Sequence, residues 1–442
     1  MNPWTFAESV SLIPVAACAF AFVGLYRRWA PFRPALPLLL FFALAIRWYF
    51  LVQFPNPSGD LSFDAESYKI VGSLVRAGKD VYANTDRHPY LPFQMYFMAA
   101  ASWLGDNTGP HFFSWIRWPN ILADLGITVL IYRSLLRLGR GESESFWFAF
   151  IWAVHPISIY TSVIHGQFDS VAVFFSLLSW YLARFWRGWT GAALGGVALG
   201  LAILDKTWPV ILLPALVVTA PELRRRLMFL GAALVIPLVA LGVYQGIFGT
   251  TMHLIELKVV NYGAVPDRYG FTYAFAHYLQ GVVPDHWLPY FREHGRDILL
   301  VSVVIVASVV VPRRDTATSC VALLATFLVF ASGWGSQYLV WIVPFAIVAR
   351  QRAVLAAYSA VATAALLVYY WGTCGYQCPG RLSNTWQYWE FEWVWPLAMV
   401  WLAREILAAL WSGRAPDAPI VLAARSLIRG LRRRTGVAST EL

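Results

Sequence analysis

The sequence predicts an all-α, polytopic membrane protein of about 11–13 transmembrane helices, with surface helices carried in its first outer loop. Three observations predict it. Hydrophobic residues make up 59% of the chain and charged residues only 13%, against about 25% charged in soluble proteins. Mean hydropathy is +0.56. Apolar windows long enough to enter a bilayer recur from one end of the chain to the other, with arginine clusters between them.

In order, the windows fall near 8–26, 35–53, 116–136, 145–163, 168–184, 190–204, 207–220, 227–247, 297–311, 317–332, 336–349, 353–371 and 393–411. Several are shorter than the ~20 residues of a straight span, so broken helices are expected. The runs 190–204 and 207–220, split by Asp205-Lys206, are the weakest pair. Threading the spans puts Arg27, Arg28 and Arg33, Arg133 to Arg140, Arg184 and Arg187, Arg224 to Arg226, Arg313 and Arg314, and Arg350 and Arg352 on one face. The positive-inside rule makes that face cytoplasmic. The loops 54–115, 248–296 and 372–392 then lie outside, with the N-terminus. One membrane domain covers 1–412, followed by a basic cytoplasmic tail, 413–442, whose helical apolar spacing suits the inner leaflet.

The net charge of +10 does not indicate nucleic acid, because the basic residues are loop arginines; only Lys69, Lys79, Lys206 and Lys258 are lysines. The N-terminus lacks the positive region of a cleavable signal peptide. Aromatic residues, 16% of the chain, suit an interfacial belt. Cys18 and Cys320 read as small buried hydrophobes. Cys374 and Cys378 fall in the third outer loop, where a disulfide is open.

The polar stretch from Gly59 carries Asp60, Asp64, Glu66, Asp80 and Asp86 beside Arg87 and His88. Long ordered loops in such proteins are usually functional. Asp64 and Tyr68, one helical turn apart, share a face. AESYKIVGSLVRAG continues as a short amphipathic helix ended by Gly78. Tyr82 follows in an extended or turn segment, and HPYLPF opens a second apolar helix near 91–104. A carboxylate held there is placed to accept a proton from an acceptor hydroxyl.

This arrangement resembles the GT-C superfamily of polyprenyl-phosphate-sugar-dependent glycosyltransferases. Within it, the chain is similar to the catalytic subunits of glycosylphosphatidylinositol mannosyltransferase I and their bacterial multi-pass relatives. The Asp64-to-Tyr82 spacing carries the resemblance, followed in order by IRWPNILADLGITVLIYRSLL, HPISIYTSVIHGQFDSVAVFF, LAILDKTWPVILLPAL and GSQYLVWIVPF. Together these cover residues 60 to about 345. There are departures. Ser62 stands where the family's loop has its first Asp, Val81 replaces a Pro, His155 replaces an Asn before Pro156, and an additional span precedes the loop.

The resemblance implies transfer of a sugar, with mannose the expected one, from a polyprenyl-phosphate donor to a lipid or glycan hydroxyl, with inversion, outside the cytoplasm. In a bacterium that would be the periplasmic face of the inner membrane. It makes Asp64 the candidate general base. Asp60, Tyr68, Arg87 and His88 are candidate substrate contacts in the same loop. No cofactor is required, although a divalent ion is open: Ser62 leaves one carboxylate, which holds such an ion poorly, and Asp60 stands two residues earlier.

His165, Gln167 and Asp169 fall at the outer end of a span, placed to bond a sugar, with helix capping by Asp169 the alternative. Lys206 is a candidate phosphate contact, or pairs locally with Asp205. Arg47, inside FFALAIRWYFLV, either meets the donor phosphate or pairs with Asp124. Gln337 and Tyr338 open a late span, and Arg268 in the second outer loop suits phosphate oxygens. The rival class is a secondary transporter or flippase using Arg47 and Asp124 as its path; no internal repeat supports it.

Overall fold

The computed structural model describes residues 3–33, 35–54, 61–186, 188–260, 269–278, 281–282, 284, 286–372 and 393–412. Among these the chain is helical throughout. Helices α1 (Pro3–Arg27) and α2 (Ala35–Gln53) precede four shorter ones: α3 (Leu61–Arg76), α4 (Val81–Asn84), α5 (Gln94–Asn107) and α6 (Phe112–Ile116). Helices α7 (Trp118–Arg137), α8 (Glu142–Ala153) and α9 (Pro156–Ile159) follow, and α9 runs into a π-helical turn, Tyr160–His165. Then come α10 (Asp169–Phe185), α11 (Gly188–Asp205), a 3₁₀ turn (Trp208–Leu212), α12 (Leu213–Val217) and α13 (Leu223–Phe248). Short α14 (Met252–Ile255), α15 (Phe271–Tyr278) and α16 (Trp287–Glu293) lead to α17 (Gly295–Val310), α18 (Thr316–Phe330), α19 (Ile342–Val348), α20 (Arg352–Gly372) and α21 (Val394–Trp411).

Among the described residues, seven helical segments are long and apolar enough to cross a bilayer, and four shorter apolar helices accompany them. The protein is a multi-pass integral membrane protein. The shortness of 208–217 and 336–348 has a local cause: Pro209, Pro214 and Pro344 withhold backbone donors, and 3₁₀ turns replace the missing α-helical geometry.

Burial sorts the spans. The segment Glu142–His165 is buried from Ser145 onward and forms the centre of the bundle. Helix α13 is its opposite: Leu234, Val235, Leu238 and Val239 are exposed along it, a surface that water would not tolerate and lipid does. The charge inside α2 is resolved as an ion pair. Arg47 and Asp124 are both fully buried, 2.8 Å apart. Arg47 also donates to the carbonyls of Ala43 and Ala153 and to Ser158, while Ser158 and Ser162 donate to the same Asp124 oxygen. The pairing, with the serine bonds to the shared Asp124 oxygen, is what makes two charges tolerable inside a membrane. The other Asp124 oxygen is buried without a partner among the described residues.

The amphipathic helix expected in the first loop is α3, with Ala65, Tyr68 and Val71 buried and Phe63, Glu66, Lys69 and Ser73 exposed. It packs on α5 so closely that a Cβ at Gly72 would lie 2.5 Å from the Met98 carbonyl, which only glycine permits. Tyr82 departs from the extended expectation. It sits in the one-turn helix α4, because the Asp80 side chain caps that turn by accepting from the Tyr82 amide. Tyr244 and Thr250 donate to the two oxygens of Asp80, tying α4 to α13. Cys18 and Cys320 are buried, as expected. Cys374, Cys378 and the tail 413–442 lie outside the described residues.

Candidate active site

The site is built on one turn. The central span ends in the π-helical stretch Tyr160–His165, and Gly166 follows in the left-handed region at φ 77°. The Gln167 amide then closes the turn onto the Thr161 carbonyl at 3.0 Å. A Cβ at Gly166 would be strained and would also meet the Phe113 ring at 3.2 Å, so glycine is required there. The turn holds His165 and Gln167 in space before α10 starts at Asp169.

Both side chains converge on α3. Gln167 Nε2 donates to Asp64 Oδ2 at 2.6 Å, and His165 Nε2 lies 3.1 Å from the same oxygen. Asp64 Oδ1 has no hydrogen-bond partner among the described residues. The Asp64 side chain is 36% exposed while that of His165 is 5% exposed, so the carboxylate has one buried, bonded oxygen and an accessible edge. Tyr68, buried one turn along α3, donates its hydroxyl to Gln167 Oε1 at 3.0 Å. On the far side, His165 Nδ1 lies 3.1 Å from the Tyr370 hydroxyl at the end of α20.

Burial raises the Asp64 pKa, but the His165 hydrogen bond and charge, the Lys206 charge and the Gln167 hydrogen bond together outweigh it. The carboxyl is held below its ordinary range. Tyr68 moves the other way: burial first, then the neighbouring carboxylates, push its phenol well above the usual value, keeping it a neutral donor.

A second cluster sits on the other side of the same turn. Asp169 accepts from Lys206 Nζ at 2.7 Å and from Trp341 Nε1 at 2.6 Å. The first residue of α10 is therefore not spent on capping, and Lys206 does not pair chiefly with its neighbour Asp205. Its charge sits 5.3 Å above the Tyr90 ring. Trp341 stacks between Trp208 at 4.1 Å and Tyr338 at 4.2 Å, which brings the late Ser-Gln-Tyr-x-x-Trp segment to the site.

Of the residues singled out from sequence, the structure brings together Asp64, Tyr68, His165, Gln167, Asp169, Lys206 and Tyr338. It sets others apart. Arg87 pairs with Glu66 at 3.3 Å and lies over the Phe63 ring, on the exposed side of α3. His88 is buried against Tyr82 and Tyr90, and burial pushes its imidazole down to about 4, leaving it neutral. Gln337 is half-buried beside Gly335. Asp60 and Arg268 lie outside the described residues. Tyr370, Trp341 and Trp208 are members of the site that sequence reasoning did not select.

No group of three or more His, Cys, Asp or Glu among the described residues is placed to hold a metal ion.

The fold and site define a polytopic, all-helical membrane protein with one acidic, water-accessible carboxylate fixed at the end of its central span. No protein-family profile matches the chain. It is distantly homologous to GPI mannosyltransferase 1 of Gibberella zeae. The two are 24% identical over 332 residues, covering 62% of this chain and 76% of the relative.

Proposed function

We propose that this protein is a membrane glycosyltransferase that moves a sugar from a polyprenyl-phosphate donor to a lipid or glycan hydroxyl on the non-cytoplasmic face. The observation that carries the reading is the asymmetry of Asp64. One carboxylate oxygen is immobilised by Gln167 and His165, and the other is open at an accessible edge. A fixed, ionised carboxylate with one free oxygen is the requirement for a general base. The distant homology to a GPI mannosyltransferase supports the reaction class and makes mannose the first sugar to test.

In this reading the acceptor hydroxyl binds against Asp64 Oδ1. Its proton passes to that oxygen as the hydroxyl oxygen attacks the anomeric carbon. The bond from that carbon to the phosphate oxygen breaks, and the phosphate leaves with the electron pair. A single base at one face gives direct displacement and inversion. Lys206 has N–H donors beyond the one given to Asp169 and would face the leaving phosphate. Arg268 is the second proposed phosphate contact. Gln167, His165 and Tyr68 act through Asp64 by holding it. The transporter reading needs Arg47 and Asp124 as an open path, and their mutual bonding weighs against it.

The test is transfer of radiolabel from polyprenyl-phosphate-mannose to a crude acceptor-lipid extract in membranes. Asp64→Asn removes the base and leaves an amide of the same shape, so transfer is expected to fall by roughly 10²–10⁴-fold at normal expression. Unchanged transfer would remove Asp64 from this role. Absence of transfer in the wild type with mannose, glucose and arabinose donors, together with solute uptake into sealed vesicles, would establish the transporter.

A further inference from the structure

We infer that the depression bounded by α3, α5 and α6 is a carbohydrate subsite that holds the acceptor beyond its reacting hydroxyl. The role as acceptor site rests on the glycosyltransferase reading; the ligand chemistry does not. The cavity measures about 410 Å³, within the ~300–1,000 Å³ of small-molecule pockets. Its lining mixes polar side chains with a larger apolar surface. Glu66 and Lys69 come from α3, Ser102 and Asp106 from α5, and His111 and Phe112 from the start of α6.

The charged groups there come in both signs, with donors and acceptors side by side. Glu66 and Asp106 are each ion-paired, to Arg87 and Arg76, which fixes both carboxylates and leaves oxygens free to accept. The side chains of Lys69 and His111 have no hydrogen-bond or ion-pair partner among the described residues and stand ready to donate. A hydroxyl both donates and accepts, so a ring bearing several hydroxyls satisfies such a mixed rim. Phe112 supplies an apolar surface for the ring's C–H face.

Position ties the pocket to the reaction. Ala65, on its wall, directly follows Asp64. Phe113 forms another part of the wall and closes against Gly166, the residue between His165 and Gln167. Phe113 thus lies between the pocket and the turn that carries His165 and Gln167, and in this proposal a saccharide whose hydroxyl reaches Asp64 extends along α3 into the pocket.

The experiment is saturation-transfer NMR on the full chain in detergent, with a panel of methyl disaccharides of mannose, glucose and arabinose as probes. Wild type and Asp64→Asn are expected to transfer saturation to at least one probe. Lys69→Ala and Phe112→Ala are expected to reduce it by roughly fivefold or more. Lys69 is exposed, so loss of the fold is not expected to mask the result. In the transfer assay the same variants should raise KM for the acceptor extract and leave KM for the donor unchanged. Equal saturation in wild type and pocket variants, or none in any protein, overturns the subsite. Saturation that depends on Lys69 and Phe112 in a wild type that transfers no sugar keeps the subsite and overturns the enzyme reading instead.

Discussion

At the scale of single residues, the chemistry turns on which atoms of Asp64 are free. Tyr370 bears on this without touching the carboxylate. In the neutral form of His165, a hydroxyl that donates to Nδ1 leaves the ring hydrogen on Nε2, where it donates to Asp64 Oδ2. Tyr370→Phe removes that constraint and lets the other tautomer turn a lone pair toward the carboxylate. Asp64 is held below its ordinary range in the intact site by contacts that include this one, so weakening it raises the pKa. A base works in its ionised form, so activity is lost as pH falls through that pKa. The acid limb of kcat/KM should therefore move to higher pH in Tyr370→Phe. Plateau kcat should fall by no more than roughly tenfold, well short of the loss expected without the base. A profile whose acid limb stays in place would make Tyr370 a packing residue only. His165, Gln167 and Asp169 were legible in the sequence because they occupy one short local pattern, and Asp64 because of its spacing to Tyr82 in the polar first loop. Tyr370 was not: it is one of 21 tyrosines, at the end of an apolar run, 205 positions from its partner. The partner of Lys206 was equally hidden, since the chain offers adjacent Asp205 and the fold chooses Asp169, 37 residues away.

At the scale of elements, the Arg47–Asp124 pair fastens α2 to α7, with Ser158 of α9 and Ser162 of the π-helical turn on the same Asp124 oxygen. It is therefore one link in the chain from the first span to the turn that carries His165. Removing one member leaves a buried charge without its counter-ion, a loss on the order of 3–5 kcal/mol. Arg47→Met is expected to lower the thermal midpoint of detergent-solubilised protein sharply, and Arg47→Met with Asp124→Leu to recover part of it. A double variant no more stable than the single one would mean that the serine bonds, not the charge balance, matter most. This pair was readable beforehand because a lone charge inside an apolar run demands a partner. The π-helical turn was not readable. Its extra residue leaves no mark in hydrophobic spacing when every residue around it is buried.

At the scale of the whole molecule, the central span separates two chemically different ends. Glu142 and Glu144 at its start meet the arginine clusters: Arg33 at 3.3 Å from Glu142, and Arg350 and Arg352 at 2.8 and 2.7 Å from Glu144. His165 at its finish meets Asp64. Members of two of the arginine clusters counted along the sequence, Arg33 and the pair Arg350 and Arg352, thus meet at the end of the central span remote from the site. With ~1.5 Å of rise per residue, the 24 residues of that segment span roughly 36 Å, enough to cross the hydrocarbon core. If positive charge stays inside, the site faces the other compartment. Two single-cysteine variants in a background lacking the native cysteines test this with a membrane-impermeant maleimide. Lys79→Cys sits just past α3 at an exposed position, and Gly141→Cys stands where an added side chain meets open space beside the arginine-rich end. Lys79→Cys should label in intact cells, or in spheroplasts where an outer barrier intervenes, and Gly141→Cys only after permeabilisation. The reverse pattern would place Asp64 in the cytoplasm, where the donor would have to be presented from the inner leaflet. The acceptor subsite between α3 and α6 would then open toward cytoplasmic glycans.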